Sequence, residues 1–220
     1  MKNILLIGGS YGIGLAIAKE IESGNNVFVA SRTNENLEDL NVTHIPFDAL
    51  NDTLDLSTLP AVIDGLVYCP GSINLRPFRG LKPEAFENDL QINFISLVKV
   101  IQSILPNLTA SEQSSIVLFS SVAASMGMPF HTSVAASKGA IEGFAKALAA
   151  EYAPKIRVNV IAPSLTDTPL ADKFLNNETK QEKSAERHPL KRFGKADDIA
   201  QMASFLLSDK SSWISGQTFN

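Results

Sequence analysis

Short apolar runs recur along the chain between longer segments with helical spacing. The runs are "NILLIG" (3–8), "NVFVAS" (26–31), "THIPFD" (43–48), "DGLVYCPG" (64–71), "SSIVLFSS" (114–121) and "IRVNVIAP" (156–163). Each is β-branched and mostly apolar throughout rather than alternating, the pattern of parallel strands covered on both faces. "SWISGQTFN" (212–220) is a candidate last strand. Apolar positions at helical spacing predict helices over roughly 12–23, 84–108, 131–152 and 195–208. Repeated strand–helix–strand alternation predicts an α/β fold, a doubly wound parallel sheet of about seven strands with right-handed crossovers. No repeat, low-complexity stretch or linker interrupts residues 1–220, so one domain is expected.

Two stretches depart from this rhythm. Residues 32–63 hold a strand but too little length for full helices, so their crossovers must be abbreviated. The polar stretch "ADKFLNNETKQEKSAERHP" (171–189) has weak periodicity and is expected to be a loop or mobile helical insert, a candidate lid.

Composition narrows the field of functions. A net charge of −4 gives no sign of a nucleic-acid or anionic-membrane surface. The single cysteine, Cys69, excludes an internal disulfide and fits a reducing compartment; no Cys/His cluster suggests a metal. No apolar run approaches the roughly 18 residues of a membrane span, and the apolar start of "MKNILLIGG" is short for a signal segment. The expectation is a soluble cytoplasmic protein with a small-molecule substrate and neither nucleic-acid nor membrane partners.

The first strand runs directly into "GGSYGIG" (8–14), and a helix follows. Glycines permit the tight turn and close backbone approach, and the helix start offers free N–H groups to a phosphate. This context suits a dinucleotide turn of the Rossmann kind, with spacing Gly8-x-x-x-Gly12-x-Gly14. The second strand ends in Ser31-Arg32. An NAD site usually places an acid there; a guanidinium beside a hydroxyl suits a 2′-phosphate, so NADP(H) is expected over NAD(H).

Together these residues resemble the short-chain dehydrogenase/reductase family of the classical type, over essentially the whole chain. "GGSYGIG" is similar to its cofactor turn, drawing in Gly8, Ser10, Tyr11, Gly12, Ile13 and Gly14. Asp48, followed by Ala49, matches the acid that contacts adenine, and "YCPG" (68–71), with Pro70 and Gly71, stands where the family has Asn-Asn-Ala-Gly. The resemblance implies a catalytic role for Asn93 in "QINF" and for Ser121, and cofactor contact for Thr168 in "APSLTDTPL" (162–170). It also implies a homodimer or homotetramer formed through the 84–108 and 132–150 helices, and substrate choice by 171–189. After "GQTF" the family usually has an acid and two glycines, where this sequence has Asn220.

The family's Tyr-x-x-x-Lys pair falls on "VAASK": the lysine is Lys138, and the tyrosine position holds Val134. In the family the tyrosine protonates the alkoxide left by hydride transfer, and the lysine lowers its pKa and binds the nicotinamide ribose. Valine carries no proton, so only the ribose role passes unaltered to Lys138. His131 lies three residues earlier and has a suitable acidity; His131 or a water polarised by Lys138 is the candidate replacement donor. Two functions stay open: an NADP(H)-dependent oxidoreductase of small carbonyls or alcohols with an atypical proton donor, or an inactive dinucleotide-binding sensor or partner subunit. The first is favoured by Ser121 and Lys138, the second by Val134.

Overall fold

A computed structural model describes residues Met1–Asn220. The first half contains β1 (Lys2–Ile7), α1 (Gly12–Ile21), β2 (Asn25–Ser31), β3 (Val42–Pro46), β4 (Gly65–Tyr68), α2 (Pro83–Leu90) and α3 (Ser96–Ala110). The second contains β5 (Ser114–Phe119), α4 (Val122–Ser125), α5 (Thr132–Tyr152), β6 (Ile156–Ile161), β7 (Thr166–Asp167), α6 (Asp172–Leu175), α7 (Glu178–Arg187), β8 (Gly194–Lys195), α8 (Ala196–Leu207) and β9 (Thr218–Phe219). Seven strands form one parallel sheet in the order β3-β2-β1-β4-β5-β6-β9. The strand order reverses between β1 and β4. In such sheets the crevice at the carboxyl ends of the strands, at that reversal, is where ligands bind.

The uniform apolarity of the strands follows from burial on both faces. Leu5 and Ile7 of β1 face a layer containing Leu97, Ile101 and Ile104 of α3 and Ile141 and Leu148 of α5. Ile4 and Leu6 point the other way, to Ile17 and Ile21 of α1 and Ala203 and Leu206 of α8. Each such fully buried aliphatic side chain contributes about 1.5–3 kcal/mol relative to exposure. The helical run Pro83–Ala110 is long and apolar enough to cross a membrane by length and composition. Leu97, Val100, Ile101, Ile104 and Leu108 are nevertheless buried in the core, so its apolarity is that of a core helix.

The expected elements are present, but a π turn at Gln91–Ile95 interrupts the helix expected over 84–108, and two further segments differ. The strand expected over 212–220 contracts to Thr218–Phe219, because the Ser212 and Ile214 N–H groups turn back to the Asp209 and Ser211 carbonyls at 3.1 and 2.9 Å and Gly216 takes φ +73°. The weakly periodic 171–189 stretch folds as α6 and α7; Asn177 caps α7, its side chain accepting from the Lys180 N–H at 3.0 Å. The ends of this insert are joined where β7 pairs in parallel with β8. As the lengths required, no helix links β2 to β3, and only the 3-10 turn Leu56–Thr58 lies between β3 and β4.

Candidate functional site

The carboxyl end of β1 opens into the glycine turn. Gly8 and Gly12 take φ of +79° and +53°, conformations that favour glycine. A Cβ on Gly14 would stand 2.3 Å from the Gly8 carbonyl oxygen, so the turn and the start of α1 can approach only without one. Tyr11 occupies the N-cap of α1 but makes no side-chain cap, leaving the first backbone N–H groups of the helix for a ligand. The turn is braced from the side by the segment after β2. Asn36 Nδ2 donates to the Ser10 carbonyl at 3.0 Å, and the Tyr11 hydroxyl donates to Glu35 Oε2 at 2.8 Å.

A cleft of about 290 Å³ runs from this turn in both directions. At one end lie Ser31, Arg32, Asp48 and Ala49; at the other, Pro70, Gly71 and Thr168; Gly8, Ser10, Tyr11, Gly12, Ile13 and Gly14 form its middle. Ile7, Ala30, Phe47, Leu50, Cys69, Ile92, Pro169 and Leu170 complete the lining. The Ser31 hydroxyl donates to the Thr33 carbonyl at 2.8 Å, whereas the Arg32 guanidinium has no hydrogen-bond or ion-pair partner. Asp48 is held below the usual carboxylate range, first by the Leu50 N–H, then by Asn51 and the Arg32 charge. A backbone cradle that added Cβ atoms would close, and uncapped helix N–H groups beside it, fit the pyrophosphate of a nicotinamide dinucleotide.

The other half of the site adjoins Gly71. A Cβ there would stand 3.1 Å from Asn93 Oδ1 and 3.3 Å from Lys138 Nζ, so this glycine lets both side chains converge on the turn after β4. Lys138 is 8% exposed and donates one hydrogen bond, to the Phe119 carbonyl at 2.9 Å. Two of its three N–H donors are thus free for a ligand hydroxyl. Burial pushes its pKa down to about 8, while Cys69 and Asp89 act in the opposite direction. The Cys69 thiol beside it is pushed up to about 12 by burial.

Asn93 sits inside a π-helical turn, Gln91–Ile95, between α2 and α3. The wider turn displaces backbone carbonyls from regular α bonding. The Ser96 hydroxyl accordingly donates to Gln91 at 2.7 Å, and the Tyr68 hydroxyl to Ile92 at 3.1 Å. The fully buried Asn93 amide lies within bonding distance of the Asp89 carbonyl (2.8 Å), Ser72 Oγ (2.9 Å) and Ser137 Oγ (3.2 Å).

Ser121 follows β5 and caps α4, its Oγ accepting from the Ala123 N–H at 3.2 Å. Its neighbour Ser120 lies against α5, donating to Glu142 Oε1 at 2.6 Å. His131 is the N-cap residue of α5, and its Nδ1 lies 2.7 Å from the Pro129 carbonyl, a local contact away from Lys138. Val134 is 5% exposed. All three tyrosines are engaged elsewhere: Tyr11 with Glu35, Tyr68 with Ile92, and Tyr152 at the far end of α5. No motif in the sequence marks Ser72 or Asp89. The available signal was spacing alone, Asp89 standing one turn ahead of Asn93 and so on the same side of the helix.

A family model described as enoyl-(acyl carrier protein) reductase matches residues 8–220. The chain belongs to the short-chain dehydrogenase/reductase family. Among curated members of this family, the 3-oxoacyl-(acyl-carrier-protein) reductase of Thermotoga maritima is 32% identical over 234 residues, covering 98% of this chain and 94% of that protein. The ligand-free aldohexose dehydrogenase of Thermoplasma acidophilum superposes with a TM-score of 0.89 at 27% identity, covering 99% of this chain and 91% of that one. A 4-hydroxyisoleucine dehydrogenase complexed with NADH does so with a TM-score of 0.89 at 26% identity, covering 100% and 96%. These relatives are short-chain oxidoreductases, and the family's single-domain α/β sheet is the one described above.

Proposed function

We propose that the protein is an NADP(H)-dependent short-chain oxidoreductase acting on a small carbonyl or alcohol, with Lys138 managing the proton in place of the family's tyrosine. The observation that carries this is a single cleft lined by Arg32 at one end and ending at Gly71, against which Lys138 Nζ is packed. A nicotinamide dinucleotide bound there would supply or accept the hydride at the substrate carbon. The protein residues bind and orient around it. The N–H groups of the glycine turn and α1 would hold the pyrophosphate, and Ser31 and Arg32 the 2′-phosphate. Asp48 and Ala49 would face the adenine, Pro70 and Gly71 the nearer ribose, and Thr168 the nicotinamide end. Lys138 has two N–H groups free for the ribose and for the oxygen that changes charge. Ser121 would orient that oxygen, and Asn93 steadies the turn that carries Gly71.

His131 is the weaker candidate donor, since its ring is directed to a local carbonyl. With a pKa near 8, Lys138 is an ammonium at neutral pH yet acidic enough to release a proton to an alkoxide. The family's way of assembling supports a homodimer or homotetramer through α3 and α5.

Val134 favours a second reading, a dinucleotide-binding subunit without turnover. Fluorescence titration with NADPH and NADH, followed by turnover assays on aldehydes and ketones with wild type and Val134→Tyr, separates the two. NADPH binding with wild-type turnover is the expected result. Binding with turnover only in Val134→Tyr would establish the second reading, and failure to bind either dinucleotide would refute both.

A further inference from the structure

Asp89 is the one carboxylate buried in this protein, at 3% exposure. Taking a carboxylate out of water costs several kcal/mol unless its environment compensates. Asp89 has no cation in contact. Its compensation comes from two serine hydroxyls, Ser72 donating to Oδ1 at 2.6 Å and Ser133 to Oδ2 at 2.5 Å. Those serines belong to separate parts of the site. Ser72 follows Gly71, where Asn93 and Lys138 converge, and its backbone N–H donates to Asn93 Oδ1 at 3.3 Å. Ser133 lies in the first turn of α5, next to Val134. An aliphatic residue at 89 would hold α2 against α5 without any desolvation cost, so packing gives no account of the acid.

We propose that Asp89 is a positioning residue of the proton-transfer step: through Ser72 and Ser133 it locks the turn after β4 and the start of α5 around Lys138, and its charge holds Lys138 in the ammonium form. The inference deepens the oxidoreductase reading and rests on it. With valine at 134, the side chains on α5 between His131 and Lys138 that carry a proton are the hydroxyls of Thr132, Ser133 and Ser137. The Ser133 hydroxyl is directed to Asp89, and that of Ser137 to the Val134 carbonyl at 3.0 Å. Aliphatic hydroxyls, Thr132 included, are far weaker acids than an ammonium, so the proton is assigned to Lys138. In the reductive direction the substrate oxygen, holding the former π pair once its carbon is reduced, takes a proton from Nζ. Lys138 becomes an amine and is recharged from solvent. The groups facing Lys138 are the Phe119 carbonyl from β5, the Cys69 thiol after β4, and Asn93 and Asp89 from the α2–α3 helix. On α5 itself Glu142 is occupied by Ser120. Asp89 is therefore the one negative charge available to oppose desolvation of the ammonium.

The test follows the Lys138 Nζ titration by NMR in protein carrying ¹⁵N-lysine, alongside the pH profile of kcat. Asp89→Asn keeps the size and loses the charge. It is expected to lower the Lys138 midpoint by about one unit and move the alkaline fall of kcat with it, while KM for NADPH changes little. Asp89→Glu is expected to stay at the wild-type midpoint. Should Asp89→Asn not fold, Ser133→Ala, which weakens the carboxylate's hold on its charge, is expected to shift the midpoint in the same direction. An unchanged midpoint in the folded variant overturns the inference. A shifted midpoint in a protein that turns over no carbonyl would uphold the charge coupling and refute the oxidoreductase reading alone.

Discussion

One methyl group at position 14 decides whether the cofactor turn can form. With a Cβ 2.3 Å from the Gly8 oxygen, Gly14→Ala must push α1 away from the sheet. It is expected to abolish dinucleotide binding and lower the melting temperature, both read in a single fluorescence and thermal-melt series. In the proposed function Arg32 meets the dinucleotide only at its 2′-phosphate. Arg32→Ala should weaken NADPH about tenfold or more, the value of a charge-assisted bond, and leave NADH affinity unchanged in the same titration. Lys138 couples function to stability with a definite sign. Its folded pKa, about 8, lies below the ordinary lysine value, so the unfolded chain binds the proton more readily. The stability it contributes is full only above the ordinary lysine pKa and is lost as pH falls through about 8. Thermal melts of apo Lys138→Met should therefore show a gain over wild type at pH 7 that shrinks toward pH 10, with turnover gone at every pH. That the glycine turn and Ser31-Arg32 come together in one cleft was legible in the sequence, because their placement follows from local backbone and from the ends of adjacent strands. Asp89 was not, because its partner Ser133 is 44 residues away and no spacing rule links them. For His131 the spacing gives the side of the helix but not the Pro129 carbonyl that its ring meets.

Among elements, the long helix from Pro83 to Ala110 differs most from its sequence pattern. Apolar spacing predicts one continuous helix over 84–108 and does not register the π turn, which changes hydrogen-bond partners without disturbing which face is buried. That turn carries Asn93 inward and depends on borrowed hydroxyls. Tyr68→Phe leaves the Ile92 carbonyl without its donor and is expected to cost about 1–3 kcal/mol, measured by urea unfolding. A smaller loss would mean that water replaces the phenol. The strands were the most readable elements, since burial on both faces leaves a continuous apolar run. The last strand was over-read because "SWISGQTF" has strand-like residues, but Gly216 at positive φ breaks the extension. α7 was under-read for the opposite reason. It has no buried residue, so it has no apolar stripe to detect, and its start is marked only by the Asn177 cap.

At the scale of the molecule, the sheet, with helices packed on both faces, supports the site, while the segment expected to choose the substrate starts at the cleft with Thr168, Pro169 and Leu170 and then leaves it. The excursion from Thr168 to Phe193 leaves and returns through β7 and β8, whose pairing sets Thr166 opposite Gly194 and Asp167 opposite Lys195. Its two ends are therefore fixed to each other, in a two-stranded sheet separate from the main one. A segment closed at its own base behaves as a cassette. Descent can exchange its contents, and with them the surface offered beside the cleft, without disturbing the sheet that carries the glycine turn.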